Sequence, residues 1–538
     1  MTEKSKLLTE KCRKIYDSVK HKPVLLGGIG CLLMLALAFF AVYFARVVYE
    51  PQWLGQIEGT LVLFAILCLI TALAAAANRF CKNNTALLMT AIIFISGTAF
   101  ALITPPNQVP DEPSHYMRSY AMGMGDFHFD EQQEWPNDVY LLMEAFPMAY
   151  RNGYPAENGN SILDRFDIYF DSVESGKTGE KVGIIIFQII PYLPQALGVF
   201  IGRIFGADAL VCYYLARLAN LAFYAFCCYV ALSWAKRFRM MLFAIMALPL
   251  TLFIAASCNN DSMLFGLMFI VFSTVLCDKF SKKQAIAFAA AFAVLCTSKA
   301  SYIVFILLVL LMLGRDRWNL KLKKWQYMAI VLAAFLVVYQ GMGMLVGLLS
   351  NYGEIPRTME DSNPSAQLVF ILSNPLRYLV VFLDTLRNNS FFLSTGGLLG
   401  WIDVDIKLVS FATPVMLLWA GAKNAPLLEK KDLSKTAVFF ITTLLTYAVV
   451  LTGMYLTWTP VTLPQVIGIQ MRYVLPGIFG IMMVVAYWLR GYMKAPCEGY
   501  AEKSEKCVMW AYFVFALITA ALLFAAYYFT MKAIVFVS

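Results

Sequence analysis

The sequence predicts an all-α, polytopic membrane protein, and three observations support this fold class. Of the 538 residues, 60% are hydrophobic and only 14% are charged, whereas about 25% of the residues in a soluble domain are charged. Long apolar runs recur from one end of the chain to the other, as membrane-spanning helices require. Lysine and arginine concentrate in the short loops between these runs. The net charge of +9 therefore indicates orientation in a membrane and does not indicate nucleic-acid binding.

Positive charge also predicts which side of the membrane each loop faces. Short cytoplasmic loops are rich in Lys and Arg, so the basic segment Met1–Lys22 is expected in the cytoplasm. Alternation from that start predicts a C-terminus outside the cell and about 13 spans, several of them shorter than the usual length of roughly 20 residues. The predicted spans are 24–48, 57–77, 87–103, 210–234, 240–256, 263–277, 285–295, 302–313, 325–349, 409–420, 437–456, 473–489 and 508–529.

This pattern divides the chain into three regions. Residues 1–86 are predicted to form a cytoplasmic segment and two extra transmembrane helices. Residues 87–489 are predicted to form the main membrane domain. Residues 490–538 complete the chain with a cytoplasmic loop and the last span. Two long outer loops, 105–207 and 350–405, interrupt the main domain, and the first of them is acidic with few cations.

Two apolar segments within these outer loops are predicted to lie at the membrane surface. Segment 182–205 is broken by Pro191 and Pro194 and is read either as a span or as an interfacial helix. A span would place the basic cluster that begins at Lys236 outside, so we take the interfacial interpretation. Segment 376–386 is expected to be re-entrant or interfacial.

The stretch Thr104–Tyr116, TPPNQVPDEPSHY, is the first candidate site. Four prolines within nine residues end the preceding span and stiffen the turn. They hold Asp111 and Glu112 at the outer membrane edge, with His115 just beyond. A carboxylate in this position is predicted to act as a general base, because an ionisable group at a rigid membrane-edge turn indicates function. The alternative is a helix-capping or turn acid.

Two further candidates lie at the same predicted face. Asp261, in the sequence SCNND, either orients a substrate hydroxyl, ligates a metal together with Asp111, or caps the following helix. Lys299 lies between two short apolar runs. Its ammonium group either binds a phosphate or extends to the membrane interface.

Arginines supply the remaining candidates. Arg217 lies inside a predicted span, where a buried guanidinium needs an anionic partner. Arg472, with Gln470 beside it, precedes another span at the outer edge. It either clamps a lipid phosphate or anchors the interface together with Trp458 and Tyr473.

Motifs that indicate other functions are absent from the sequence. There is no GxxxxGKS phosphate loop, no HExxH and no paired CxxC. The chain has only 3 histidines, which excludes a histidine-rich metal site.

The candidate residues belong to motifs that resemble a known family. In chain order these motifs are PPNQVPDEPSHY, YLPQALG (192–198), ARLAN (216–220), SCNND (257–261), SK followed by Tyr302, GWID (400–403) and IGIQMRYVLP (467–476). Together they resemble a bacterial family of predicted membrane proteins catalogued as domain of unknown function 2142. The resemblance extends from about Leu87 to about Leu489.

That family is similar to the GT-C glycosyltransferases, and the similarity implies a GT-C-like bundle with a large first outer loop and interfacial helices. It implies a base at Asp111, a second acid at Asp261, and a lipid phosphate bound by Arg472, Lys299 and Arg217. Glu112 is a further catalytic candidate, and His115 and Gln470 are candidates for substrate binding. The implied donor is a sugar on a polyprenyl phosphate or pyrophosphate.

The expected function is therefore an inverting glycosyltransferase in the bacterial plasma membrane. It would move the sugar to a cell-envelope glycan or lipid acceptor at the outer face. No cofactor is expected to be required, although a divalent metal is possible. The alternative is a transporter or flippase for a lipid-linked saccharide, which predicts polar residues through the middle of several spans. A purely structural scaffold leaves the position of Arg217 unexplained.

Overall fold

Helices make up most of the described part of the computed structural model, which also contains one short hairpin. The structure describes residues 23–49, 56–127, 134–148, 164–179, 189–278, 280–313, 320–349, 362–388, 397–461, 463–493 and 498–528. The predicted cytoplasmic segment Met1–Lys22 lies outside the described residues. So do the first residues of the predicted interfacial segment, 182–188.

The described part of the chain contains 20 α-helices. Helices α1 to α10 are Pro23–Tyr49, Gln56–Cys81, Thr85–Ile103, Glu112–Gly123, Asn137–Ala145, Asp164–Glu174, Leu193–Ile204, Ala209–Trp234, Arg239–Met246 and Pro249–Ala255. Helices α11 to α20 are Asn260–Leu276, Lys282–Ser298, Val309–Met312, Lys324–Leu349, Pro364–Ser373, Pro375–Asn388, Lys407–Asn424, Leu433–Thr457, Leu475–Leu489 and Tyr500–Tyr528. A 3₁₀ helix, Ala300–Leu308, leads directly into α13.

Six of the helices in the described ranges are long and apolar enough to cross a membrane, namely α2, α3, α8, α14, α18 and α20. Up to eight spans result if each of two bent helix pairs counts as one. The prediction of a polytopic, all-α membrane protein is therefore confirmed. The number 13 is not, because several predicted spans correspond to shorter apolar helices such as α11 and α19.

The predicted span 240–256 is not one straight helix. It consists of α9 and α10, which meet at an angle of 75°. Pro249 is at the start of α10. Proline has no N–H to donate to the preceding turn, so it begins a helix readily but does not continue one. The bend brings α10 beside the candidate site.

Helix α8 lies at the centre of the site region and packs against α3, α7 and α11. Its approach to α7 is close at Gly198, where a Cβ atom would collide with the backbone of Leu215. The glycine of the YLPQALG motif therefore permits two helix backbones to touch. This contact fixes α7 against the buried face of α8 that carries Arg217 and Asn220.

The hairpin was not anticipated by an all-α prediction. Strand β1 (Leu398–Leu399) pairs antiparallel with β2 (Val404–Asp405). Its turn holds Gly400 and Ile402 at positive φ. Trp401 then donates a hydrogen bond of 2.8 Å to the carbonyl of Asn107. The GWID motif thus connects residues 350–405, the second loop predicted to lie outside, to the proline-rich turn.

Candidate functional site

The proline-rich turn separates its two adjacent acids. Asp111 has φ +65° and stands immediately before α4, but its side chain makes no capping hydrogen bond to the helix. Aspartate tolerates this left-handed conformation better than most residues. The carboxylate lies 2.5 Å from Nη2 of Arg472 and is 50% exposed. Asp111 is therefore held by a cation and remains open to a ligand.

Glu112 faces the opposite way and is fully buried. Its two carboxylate oxygens accept hydrogen bonds of 2.8 Å each from Nε and Nη2 of Arg217. The backbone N–H of Cys258 donates a third, at 2.9 Å. A carboxylate with these partners is satisfied within the protein, so Glu112 supports the turn and does not reach a substrate.

The N–H groups of Arg217 all have acceptors within the protein, just as the Glu112 carboxylate has its donors. Its remaining N–H groups donate to the carbonyls of Ala101, Thr104 and Pro105 at 3.0, 2.5 and 3.0 Å. These carbonyls lie at the C-terminal end of α3, where the last carbonyls have no intrahelical N–H donor and carry partial negative charge. The anionic partner expected for Arg217 is thus Glu112, together with a helix end. We accordingly assign both residues to the scaffold, not to the phosphate-binding groups.

Arg472 joins the two candidate acids. Besides Asp111, its guanidinium lies 3.5 Å from Asp261 and donates to the carbonyl of Pro110 at 3.3 Å. Asp111 and Arg472 can share a substrate only if they lie within about 15 Å of each other. The observed separation of 2.5 Å meets that requirement.

Lys299 joins Asp111, Asp261 and Arg472 to form one charged cluster. Its ammonium group lies 2.5 Å from Asp261, whose side chain is only 2% exposed. Asn259, and not Asp261, is the cap of α11, because the Asn259 side chain accepts the N–H of Asp261 at 2.9 Å. Lys299 and Arg472 also lie 5.1 and 5.2 Å from the ring centroid of Tyr473. Asp261 is therefore available to orient the two cations.

His115 lies beside the cluster with two residues that the sequence analysis missed. Its Nδ1 is 2.7 Å from the hydroxyl of Tyr192, which also accepts a hydrogen bond from Arg118. Burial lowers the pKa of His115 well below its ordinary value, and the charges of Arg118, Arg472 and Lys299 add to this effect. His115 and Arg118 are three residues apart and share one face of α4, but Tyr192, which connects them, comes from a distant segment of the sequence.

Gln470 lies on a cavity next to this cluster. The cavity has a volume of about 130 Å³ and a mostly apolar lining, with Arg472 and Gln470 as its polar side chains. Its walls come from the proline-rich turn, α10, the hairpin and the segment before α19, and comprise Pro110, Leu250, Phe253, Ile254, Leu398, Gly400, Ile402, Ile469 and Met471. A substrate shared by Asp111, Asp261, Lys299 and Arg472 would need one cavity that all four residues line. Of these four, only Arg472 lines this cavity, and Lys299 and Asp261 form an ion pair with each other.

The sequence left a divalent metal possible, with Asp111 and Asp261 as its ligands. Among the described residues, no group of three or more His, Cys, Asp or Glu could hold a metal ion. Asp111 and Asp261 share a guanidinium instead. Arg472 supplies the positive charge between these two acids.

The fold and the site define the class of the protein: a polytopic, all-helical membrane protein with paired acids and cations where several helix ends meet. The chain belongs to the family described as predicted membrane protein (DUF2142), whose model matches residues 94–481. No curated protein and no solved structure matches the chain.

Proposed function

We propose that this chain is an inverting glycosyltransferase of the GT-C type. It moves a sugar from a polyprenyl-phosphate-linked donor to a cell-envelope glycan or lipid acceptor at the outer face of the bacterial plasma membrane. One observation carries the proposal: the half-exposed carboxylate of Asp111 lies against Arg472, beside Lys299. A base is thus next to cations suited to phosphate.

The transfer step uses these groups as follows. The acceptor hydroxyl gives its proton to Asp111 while its oxygen attacks the anomeric carbon of the donor sugar. The bond from that carbon to the phosphate oxygen breaks, and the phosphate leaves with the electron pair. A single direct displacement inverts the anomeric configuration and needs one base. Arg472 and Lys299 stabilise the charge that develops on the leaving phosphate.

Without a ligand, Arg472 holds Asp111 directly. A donor phosphate would compete with this carboxylate for the same guanidinium, because both are oxyanions that arginine binds through paired N–H groups. Donor binding therefore releases Asp111 to accept the proton. Asp111 therefore acts as a base only after the sugar donor has bound.

The test of the reaction is mass analysis of envelope glycans from a bacterial strain that lacks this chain. A missing sugar supports the proposal. Unchanged glycan masses contradict it.

The proposal also specifies a topology of thirteen spans, with the N-terminus inside and the site outside. Cysteines introduced at Glu144 and Gln465, both exposed positions, should react with a membrane-impermeant thiol reagent added outside. Cysteines at Lys236 and Lys430 should be spared. Labelling at Lys236 would instead show that segment 182–205 spans the membrane, and the site assignment to the outer face would have to be revised.

Arg472→Ala should weaken binding of a lipid phosphate by roughly tenfold to a hundredfold, since charged hydrogen bonds contribute about 1.5–3 kcal/mol. Calorimetry with dodecyl phosphate on the purified chain measures this. Arg377→Ala is the matched control, because Arg377 is an exposed arginine outside the cluster. Equal binding by both variants would remove Arg472 from the phosphate site.

A further inference from the structure

Three side chains beside Asp111 form a hydrogen-bonded chain that the transfer step does not use. Nη1 of Arg118 donates to the hydroxyl of Tyr192, and that hydroxyl lies 2.7 Å from Nδ1 of His115. Arg118 is 4% exposed and Tyr192 is 1% exposed. The guanidinium also lies over the Tyr192 ring, 4.7 Å from its centroid. The arrangement is therefore held by packing as well as by hydrogen bonds.

The chemistry of the three groups fixes the direction of each hydrogen bond. A guanidinium only donates, so the oxygen of Tyr192 accepts from Arg118. Burial raises the pKa of Tyr192, and its hydroxyl keeps its proton at neutral pH. In the described part of the chain, Nδ1 of His115 is the one acceptor within hydrogen-bond distance of this hydroxyl, so the proton is directed to it. An imidazole that accepts at Nδ1 is neutral and carries its own proton on Nε2.

The surrounding charges keep this imidazole neutral. Burial and the cations Arg118, Arg472 and Lys299 all lower the pKa of His115. The nearby carboxylates of Asp111 and Asp261 are themselves engaged by Arg472. His115 is partly exposed, and its Nδ1 is occupied by Tyr192. Nε2–H is therefore the imidazole group that remains to bind a ligand.

We propose that Nε2–H of His115 donates a hydrogen bond to a non-bridging phosphate oxygen of the ligand held by Arg472 and Lys299. Tyr192 and Arg118 are positioning residues that hold His115 in this tautomer. The inference rests on the proposed function in one respect, namely that the ligand carries a phosphate. A neutral imidazole N–H recognises that oxygen by a directional hydrogen bond and adds no further charge to the site.

The tautomer can be measured directly by nitrogen NMR of the full chain labelled in histidine. The sequence has only 3 histidines, so a His115→Gln sample identifies the His115 signal. We expect the neutral Nε2–H form at pH 6.5, where an ordinary histidine is about half protonated. Arg118→Gln should raise the pKa of His115, because it removes a neighbouring cation. A protonated His115 at pH 6.5 would overturn the proposal.

Tyr192→Phe tests the positioning role, since it removes the hydroxyl and keeps the ring that packs on Arg118. We expect the Nε2–H preference to be lost in this variant. A signal identical to that of the unsubstituted chain would overturn the role of Tyr192. A merely structural tyrosine would change stability without changing the tautomer.

Ligand binding supplies the second readout, with dodecyl phosphate and inorganic phosphate as probes. A glutamine amide places an N–H near the position of Nε2, whereas an asparagine amide places it near Nδ1. We therefore expect His115→Asn to weaken binding by about tenfold and His115→Gln to weaken it less. Equal affinities of the two variants would overturn the proposal. Tighter binding of dodecyl phosphate identifies a lipid phosphate, and equal binding of both probes identifies a soluble one.

Neither readout measures sugar transfer. A failure of the tautomer or binding experiments would leave Asp111 as the proposed base. A failure of the transfer experiments would leave the phosphate-directed His115 in place.

Discussion

Asp111→Asn should reduce sugar transfer by a factor of about 10² to 10⁴, the usual contribution of a general base. Asparagine has the same shape and also tolerates the left-handed backbone that Asp111 adopts at φ +65°. The turn should therefore survive, while the proton acceptor is lost. Complementation of a strain that lacks the chain measures transfer, and calorimetry with dodecyl phosphate measures binding.

Binding should not be weakened in this variant and should become somewhat tighter, because Arg472 and Lys299 remain and the carboxylate no longer competes with phosphate for the guanidinium. Asp167→Asn is the matched control, since Asp167 is an exposed acid elsewhere in the first loop that is predicted to lie outside. It should transfer normally. Full complementation by Asp111→Asn would contradict the role of Asp111 as base, and a transporter or flippase for a lipid-linked saccharide would then become the better explanation.

Arg217→Met should destabilise the folded protein by about 3–5 kcal/mol, the usual cost of removing one partner from a buried ion pair. The substitution leaves Glu112 charged in a fully buried position and leaves three carbonyls at the end of α3 without their donor. Arg217→Lys should also be destabilising, because one ammonium group cannot reach all these acceptors in the geometry of a guanidinium. Thermal unfolding of the detergent-solubilised chain measures the effect.

Two comparisons make this result specific. Arg377→Met removes an exposed arginine and should leave the unfolding temperature almost unchanged. Adding Glu112→Gln to Arg217→Met should restore part of the lost stability, because the uncompensated buried charge disappears. If Arg217→Met retained full stability and lost only phosphate binding, Arg217 would be a ligand-binding residue, as the sequence first suggested.

Much of the site could be predicted because its residues follow apolar runs in a regular alternation. Asp111, Asp261, Lys299 and Arg472 each stand at a helix end predicted to face outward, and the structure brings them together. The different positions and roles of Asp111 and Glu112 could not be predicted. Adjacent acids look alike in a sequence, and only the turn at Asp111 and the partner Arg217 direct one outward and the other inward.

The fold, like the site, could be predicted only in part. Hydropathy identified the helices but not their bends: Met240–Ala256 reads as one apolar run, although Pro249 divides it. The short hairpin at Leu398–Asp405 has too few residues to give a strand pattern and is stabilised by contacts such as that of Trp401 with Asn107. Arg118 was missed for a different reason, since its importance depends on Tyr192, which is distant in sequence.

The most direct test of the glycosyltransferase proposal is mass spectrometry of both the envelope glycans and the lipid fraction from a strain that lacks this chain. If the chain transfers a sugar from a polyprenyl phosphate, the glycan or lipid acceptor should be lighter by one sugar residue, and the polyprenyl-phosphate sugar should accumulate. Reintroduction of the unsubstituted chain should restore both masses. Acceptor masses that are identical with and without the chain, and no accumulated donor, would contradict the account.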